Sequence, residues 1–237
     1  MPGKMIRWRS REITRLEGFS DAVFAFAVTL LVISLEVPHT FAELMEKMHG
    51  FAAFAISFTL LFHIWFLQHK FFRRYGLQDT WTAVLNGVLL FVVLFFVYPL
   101  KFLFTFLTST FSGGRGLVRL PDGRLERMVV GSQAETMMAI YGLGYVAVFA
   151  VFVLLYLHAY RKRAELELDE IEALNTRATL ISNALNVGVG LLSITIVLIG
   201  GAAWAAASGM IYGLIGVAQF VFWGLHARKL KRLEAAR

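Results

Sequence analysis

Three side chains that carry charge or hydrogen bonds lie together just ahead of an apolar stretch: Arg15, Ser20 and Asp21. They belong to the segment Arg-Leu-Glu-Gly-Phe-Ser-Asp, and the apolar run from 22 to 35 follows at once. Ionisable groups at the mouth of a membrane helix are costly unless they find partners, and they mark functional sites by default. The segment therefore predicts a polar network at the start of a first membrane span.

A purely structural role for the same residues stays open. Ser20 and Asp21 are both favoured helix N-caps, and a carboxylate is stabilised at the positive end of a helix. Arg15 would then be an anchor whose charged end reaches the interfacial water. His63, in the second apolar segment, is a candidate partner for Ser20 or Asp21, and a hydrogen-bonded packing histidine is its alternative role.

The composition indicates a chain that lies mostly in lipid. Of its 237 residues 58% are hydrophobic and 16% are charged, and the mean hydropathy is +0.66. Because a soluble domain averages about half apolar residues, these values predict an all-α integral membrane protein. Cysteine is absent, which excludes disulfides and thiolate metal sites. The basic residues that give the net charge of +7 lie between apolar segments, which favours lipid headgroups over nucleic acid as partners.

Six apolar segments approach or exceed the roughly 20 residues that a bilayer-spanning helix needs. They cover 19–36, 51–72, 82–107, 134–160, 178–203 and 207–226. The loop 108–133 contains Gly-Gly and Pro-Asp-Gly turn signals and is predicted to be an extracytoplasmic hairpin or a flexible loop. The domain plan is a basic N-terminal arm over 1–14, a six-helix transmembrane domain over 15–228 and a basic tail over 229–237.

The basic residues between the segments fix the orientation. On one side of the membrane they lie before span one, between spans two and three, between spans four and five, and after span six. The other side carries Lys47, four arginines in the loop 108–133, and none between spans five and six. Since cytoplasmic loops are enriched in Lys and Arg, both termini are predicted to lie in the cytoplasm. The absence of cysteine and the single six-span unit favour the cell membrane as the location.

Span one carries an apolar stripe at helical spacing, formed by Phe26, Leu30 and Ile33 with Thr29 beside it. Such stripes ordinarily face lipid or a neighbouring helix. The alternative is a pore wall in which rings of apolar side chains form a constriction. Periodicity does not separate these two interpretations.

Other polar and small residues predict helix packing. Asn86, alone at membrane depth, predicts a hydrogen bond between helices. Pro99 predicts a kink or break in span three. Gly188 and Gly190 in span five predict a close approach of helices.

Neither a metal site nor an enzyme is predicted. His63 and His69 are six residues apart, which is a poor spacing for two ligands on one helical face. The sequence has no phosphate-binding glycine loop, no His-Glu-x-x-His and no Gly-x-Ser-x-Gly. The rival function is a proton-coupled secondary transporter with Asp21 and His63 as a relay, although transporters usually show internal repeats and none is visible.

The Arg-xxx-Phe-Ser-Asp pattern within 15–21, followed by the apolar run 22–32, resembles the opening of the transmembrane protein 175 family. Those proteins are the lysosomal and endosomal potassium channels and their prokaryotic relatives. The six-span plan, the cytoplasmic termini and the Trp-xxx-His pattern at the end of span two are also similar. The resemblance covers the whole chain in outline and is specific over 15–36 and, more weakly, over 57–72.

The resemblance implies a potassium-preferring cation channel that conducts passively and has no carbonyl selectivity filter. A chain with one six-helix unit would form a homotetramer in the bilayer, around a central pore lined by the first helix. The constriction would fall on Phe26, Leu30 and Ile33, with the Thr29 hydroxyl nearby. No cofactor is implied beyond the permeant potassium ion. A polar network behind the pore would hold span one at its angle, with Arg15, Phe19, Ser20, Asp21, His63 and His69 as members.

Overall fold

Long helices make up most of the computed structural model, which describes residues 8–9, 12–33, 39–41, 44–45, 48, 51–110, 116–119 and 123–235. The long helices are α1 (Arg15–Ile33), α2 (Phe51–Tyr75), α3 (Thr80–Ser109), α4 (Gln133–Arg161) and α5 (Glu170–Gly200). A 3₁₀ turn (Gly201–Trp204), the short helix α6 (Ala205–Met210) and a second 3₁₀ turn (Ile211–Gly213) lead into α7 (Leu214–Ala235). Strands β1 (Leu117–Arg119) and β2 (Leu125–Arg127) pair antiparallel, which confirms a hairpin within the loop 108–133.

Five helical stretches of the described chain are long and apolar enough to cross a membrane: α1, α2, α3, α4 and the stretch Glu170–Leu230. The last stretch contains the fifth and sixth predicted spans, and the chain reverses direction within it. His226 Nε2 lies 2.8 Å from Asn175 Oδ1, and Ser193 donates a 2.9 Å hydrogen bond to the Ser208 carbonyl. Residues further along α5 thus pair with residues closer to the turn. This order of the pairs means that α7 runs antiparallel to α5.

The first helix begins four residues earlier than the sequence predicts, at Arg15 instead of residue 19. Its start is set by a reciprocal pair: the Glu17 amide donates to Thr14 Oγ1 at 3.1 Å, and the Thr14 amide donates to the Glu17 carboxylate at 3.0 Å. This is a capping box, which satisfies two amides at the helix start. Ser20 and Asp21 therefore lie inside the helix, and the N-cap role considered for them is wrong. Residues 34–36 of the predicted span lie outside the described residues.

The bundle is held together by apolar packing and by close approaches at glycine. The helix α1 packs against α2 and α3, and its buried side includes Phe24, Ala27 and Leu31 at a spacing of three and four residues. An ideal Cβ at Gly190 would lie 2.6 Å from a Val146 methyl, so α4 and α5 meet closely there as predicted, whereas the Cβ position of Gly188 has open space around it. The sequence predicts a kink or a break at Pro99; the helix α3 continues through Pro99 as one element, so a break is absent.

Candidate functional site on the first helix

A chain of buried hydrogen bonds joins α1, α3 and α2. Asn86 donates to Ser20 Oγ at 2.9 Å, and Gln68 donates to the Asn86 carbonyl oxygen at 2.8 Å. Ser20 in turn donates to the Leu16 carbonyl of its own helix. Ser20 and Asn86 are completely buried, and Gln68 is 2% exposed. Because water is excluded, each member depends on its neighbour for its hydrogen bond, and the chain fixes the rotation of α1 against its two partners.

Asp21 finds its partner on α2, and that partner is a tryptophan. Trp65 Nε1 donates to Asp21 Oδ1 at 2.7 Å, and the Trp65 ring stacks on His69 at a centroid distance of 5.3 Å. The structure thus places Ser20, Asp21 and, through Trp65, His69 in one region. Within the described residues no hydrogen bond or ion pair joins His63 to Asp21, whose partner is Trp65.

The two remaining residues of the motif lie at the surface of the single chain. Phe19 is 61% exposed, and Arg15 is exposed as well. Within the described residues Arg15 forms no hydrogen bond or ion pair. The structure therefore leaves both outside the hydrogen-bonded group, although they share its helix.

One face of α1 is left uncovered by the described chain. It carries Ala22, Phe26, Thr29 and Ile33, opposite the buried side, with Phe26 55% and Ile33 67% exposed. Leu30 lies at the edge of this face and is partly buried against the core. The Thr29 hydroxyl donates to the Ala25 carbonyl at 2.9 Å, so its hydrogen is engaged within the helix. The face has no charged group from Ala22 to Ile33 and offers an apolar wall with one hydroxyl.

Sequence reasoning missed two members of the polar group. Trp65 entered it only through the Trp-xxx-His pattern at the end of span two, and Gln68 was not singled out, because His69 and Lys70 follow it and it is not a lone polar residue as Asn86 is. No group of three or more His, Asp or Glu side chains that could hold a metal ion occurs in the part of the chain that the structure describes.

A second polar group is centred on Asp79, which lies just before α3 and outside the membrane-spanning segments. Asp79 caps α3 by accepting from the Thr82 amide at 3.0 Å, and it also contacts His158 Nε2 at 2.9 Å and Lys162 Nζ at 3.6 Å. Burial alone would raise the pKa of Asp79, but the hydrogen bonds from His158 and Thr82 and the nearby positive charges lower it from 3.8 to about 2. The group ties the start of α3 to the end of α4.

Comparison with known proteins points to one family. The sequence profile described as "Endosomal/lysosomal potassium channel TMEM175" matches residues 15–96, which contain α1, α2 and the buried polar chain. A Marivirga tractuosa protein described as "Potassium channel" is 40% identical over 229 residues, covering 95% of this chain and 92% of that protein. A Chamaesiphon minutus protein that is also described as a potassium channel is 35% identical over 104 residues, covering 40% of this chain and 51% of that protein.

Solved structures agree with the sequence relatives. The crystal structure of a variant of the potassium channel MtTMEM175, in complex with a nanobody–MBP fusion protein, aligns with a TM-score of 0.81 and 38% identity. The alignment covers 96% of this chain and 98% of that one. A TMEM175 homologue from Chamaesiphon minutus, 24% identical with a TM-score of 0.55, shares the fold. The chain belongs to the TMEM175 family of endosomal/lysosomal potassium channels.

Proposed function

We propose that the protein is a potassium-preferring cation channel that conducts passively along the uncovered face of α1. The observation that carries the proposal is the asymmetry of this helix. One side is fixed by the buried chain from Ser20 to Gln68, and the other side is apolar and has no partner within the described residues. The relatives described as potassium channels, and the solved channel that aligns over nearly the whole chain, support the same function.

The ion path requires more than one copy of the chain. A single α1 face encloses nothing, and a closed ring of identical subunits is the symmetric arrangement that would turn it into a pore. We infer a homotetramer in the bilayer, as the family resemblance implies for a chain with one unit. In this arrangement α5 and α7 each cross the membrane, in opposite directions, which gives six spans. With an even number of spans both termini lie on the same side, and we place them in the cytoplasm, with the protein in the cell membrane.

The proposed constriction is formed by Phe26, Leu30 and Ile33, with Thr29 beside them. An apolar ring blocks ions by making them shed water, so small changes in radius alter the flux strongly. A carbonyl filter does not fit α1, because the carbonyls of a continuous helix are engaged in the helix's own hydrogen bonds. Selectivity for potassium would therefore depend on the radius of the apolar rings and on the Thr29 hydroxyls that lie between them.

The rival function, a proton-coupled transporter, needs Asp21 and His63 to exchange a proton. The contacts do not favour it, because Asp21 is bound to Trp65 and His63 points to another side of α2. The two functions differ in their electrical behaviour. In a planar bilayer with a potassium gradient, we expect discrete currents that reverse near the potassium equilibrium potential. Saturable exchange without current would favour the transporter.

A single substitution tests the constriction itself. Leu30→Ala should raise potassium flux into liposomes, because it widens an apolar ring. Leu192→Ala is the matched control, since Leu192 is equally apolar but exposed on α5. Equal flux in Leu30→Ala, Leu192→Ala and the unchanged protein would count against the constriction.

A further inference from the structure

Arg9, in the arm that precedes α1, binds three separate elements at one end of the bundle. Its guanidinium forms a two-pronged pair with the Glu172 carboxylate in the first turn of α5, at 3.1 and 2.7 Å. It also donates to the carbonyls of Leu166 and Glu167, in the turn between α4 and α5, at 2.9 and 3.3 Å. Its backbone amide donates to the Arg73 carbonyl at the end of α2, at 3.1 Å.

The geometry is one that only arginine provides. The Arg9 side chain is 18% exposed and the Glu172 side chain is 7% exposed, so the pair is largely removed from water. A planar fork of N–H donors can bind a carboxylate with two parallel bonds and reach two carbonyls as well, whereas a lysine ammonium cannot keep that pattern. Glu167 adopts a φ of +48°, and Arg9 holds the carbonyls of this tight turn. Loss of Arg9 would leave a buried carboxylate unpaired.

This contact lies directly before the helix that we assign to the ion path. Arg9 precedes the first residue of α1, Arg15, by six positions, whereas α1 itself packs on α2 and α3. The pair therefore connects the chain that enters α1 to the first turn of α5, whereas α1 itself packs mainly on two other helices.

We propose that Arg9 and Glu172 form a positioning clamp that sets the start of α1 relative to α5 and thereby controls how often the ion path is open. The proposal rests on the proposed function, because it assigns gating to the helix that we place along the path. The clamp touches no permeant ion. It acts through α1, so its loss should change the open probability and leave the single-channel current unchanged.

A double-mutant cycle tests the clamp. Arg9→Gln and Glu172→Gln should each lower the open probability in planar bilayers roughly tenfold, the change that about 1.4 kcal/mol makes in an equilibrium constant. The Arg9→Gln/Glu172→Gln double variant should lose no more than either single variant, because both substitutions remove one interaction and the double variant leaves no unpaired charge behind. Glutamine at 172 preserves the capping box with Asp169, so α5 keeps its start. Arg9→Lys should lower the open probability as Arg9→Gln does, because lysine keeps the positive charge but cannot form the two parallel hydrogen bonds of the guanidinium.

The matched control is Glu165→Gln, which removes a carboxylate from the same turn at a side chain that is 71% exposed. It should leave the open probability unchanged. Losses that add in the double variant, or an Arg9→Gln channel with the normal open probability, would overturn the clamp.

A distance measurement separates this proposal from the proposed function. The chain contains no cysteine, so Ala22→Cys gives one spin label per subunit on the uncovered face of α1. Arg9→Gln should shift the label-to-label distances between subunits in vesicles, and Glu165→Gln should not. Unshifted distances in Arg9→Gln would overturn the clamp even if potassium flows. If the unchanged protein passes no potassium but the distances shift, the proposed function fails and the clamp stands as a positioning contact.

Discussion

The buried chain between α1, α2 and α3 predicts an unusual pattern of stability. In Asn86→Leu, the Gln68 amide loses its acceptor while remaining only 2% exposed. In Gln68→Met, the Asn86 carbonyl oxygen loses its donor. In the double variant neither polar group is left behind. Replacing both partners of a buried hydrogen bond by apolar groups of similar shape is nearly neutral, whereas removing one partner leaves a desolvated group.

The magnitudes follow from the partners that each group keeps. An orphaned buried amide or carbonyl costs about 1–3 kcal/mol. Asn86→Leu also loses the bond to Ser20, worth ~0.6 kcal/mol between membrane helices, but Ser20 keeps the Leu16 carbonyl as its acceptor. We therefore expect Asn86→Leu to lose about 2–4 kcal/mol of unfolding free energy and Gln68→Met about 1–3 kcal/mol. The double variant should lose less than either single variant.

Equilibrium unfolding in detergent micelles, followed by the fluorescence of the five tryptophans, measures these differences. Ser57→Ala is a suitable control, because Ser57 is fully buried but donates only to the Ala53 carbonyl of its own helix. Ser57→Ala leaves no buried polar group on another helix without a partner, so it should lower the free energy of unfolding by less than either single variant does. A double variant that loses the sum of the two single variants would refute the reasoning.

Three further predictions concern packing, charge and the motif. Gly190→Ala should cost about 1–3 kcal/mol of unfolding free energy, because its methyl would overlap a neighbouring side chain of α4. Asp79→Asn keeps the α3 cap but loses the carboxylate whose pKa is lowered to about 2. Its unfolding free energy should therefore approach that of the unchanged protein as the pH falls below about 2, and fall short by about 1–2 kcal/mol above about pH 5, since solvent screens part of the interaction. Trp65→Phe keeps a ring against His69 but removes the donor to Asp21, and it should lower potassium flux into liposomes by loosening the contact between α1 and α2.

Each of these predictions has a control or a contrary result. Gly188→Ala lies two residues away with open space around its Cβ position, and it should be neutral or slightly stabilising. A difference between Asp79→Asn and the unchanged protein that persists undiminished at pH 2 would contradict the assigned ionisation. Trp65→Phe with normal flux would show that the contact to Asp21 does not matter for conduction.

The helices were largely predictable, because lipid demands long apolar runs and the sequence supplies them. The start of α1 was placed too late, although Thr14 and Glu17 follow the Thr-x-x-Glu capping pattern. The pattern lies among polar residues before the apolar run, and hydropathy alone gives it no weight. The reversal near Gly201 follows from the short gap between the fifth and sixth predicted spans, 178–203 and 207–226, but the 3₁₀ turns that form it have no clear sequence signal.

The partners of the site were less predictable, because they depend on how helices are rotated against each other. His63 and Trp65 are two residues apart, which at about 100° per residue places them on different sides of α2. Which of the two meets Asp21 is decided by packing between helices. Arg9 was predicted only as part of a basic arm. Its partner Glu172 is 163 residues away, and no local pattern marks such a contact.

The claim that the uncovered face of α1 lines the ion path is tested most directly by cysteine accessibility in conducting channels. The chain has no cysteine of its own, so a thiol-reactive silver ion should spare the unchanged protein. Thr29→Cys lies on the uncovered face, whereas Leu31→Cys lies on the buried side, where Leu31 is 1% exposed. We predict that silver ions block the potassium current of Thr29→Cys and leave the current of Leu31→Cys intact. Block of Leu31→Cys with none of Thr29→Cys would contradict the assignment of this face.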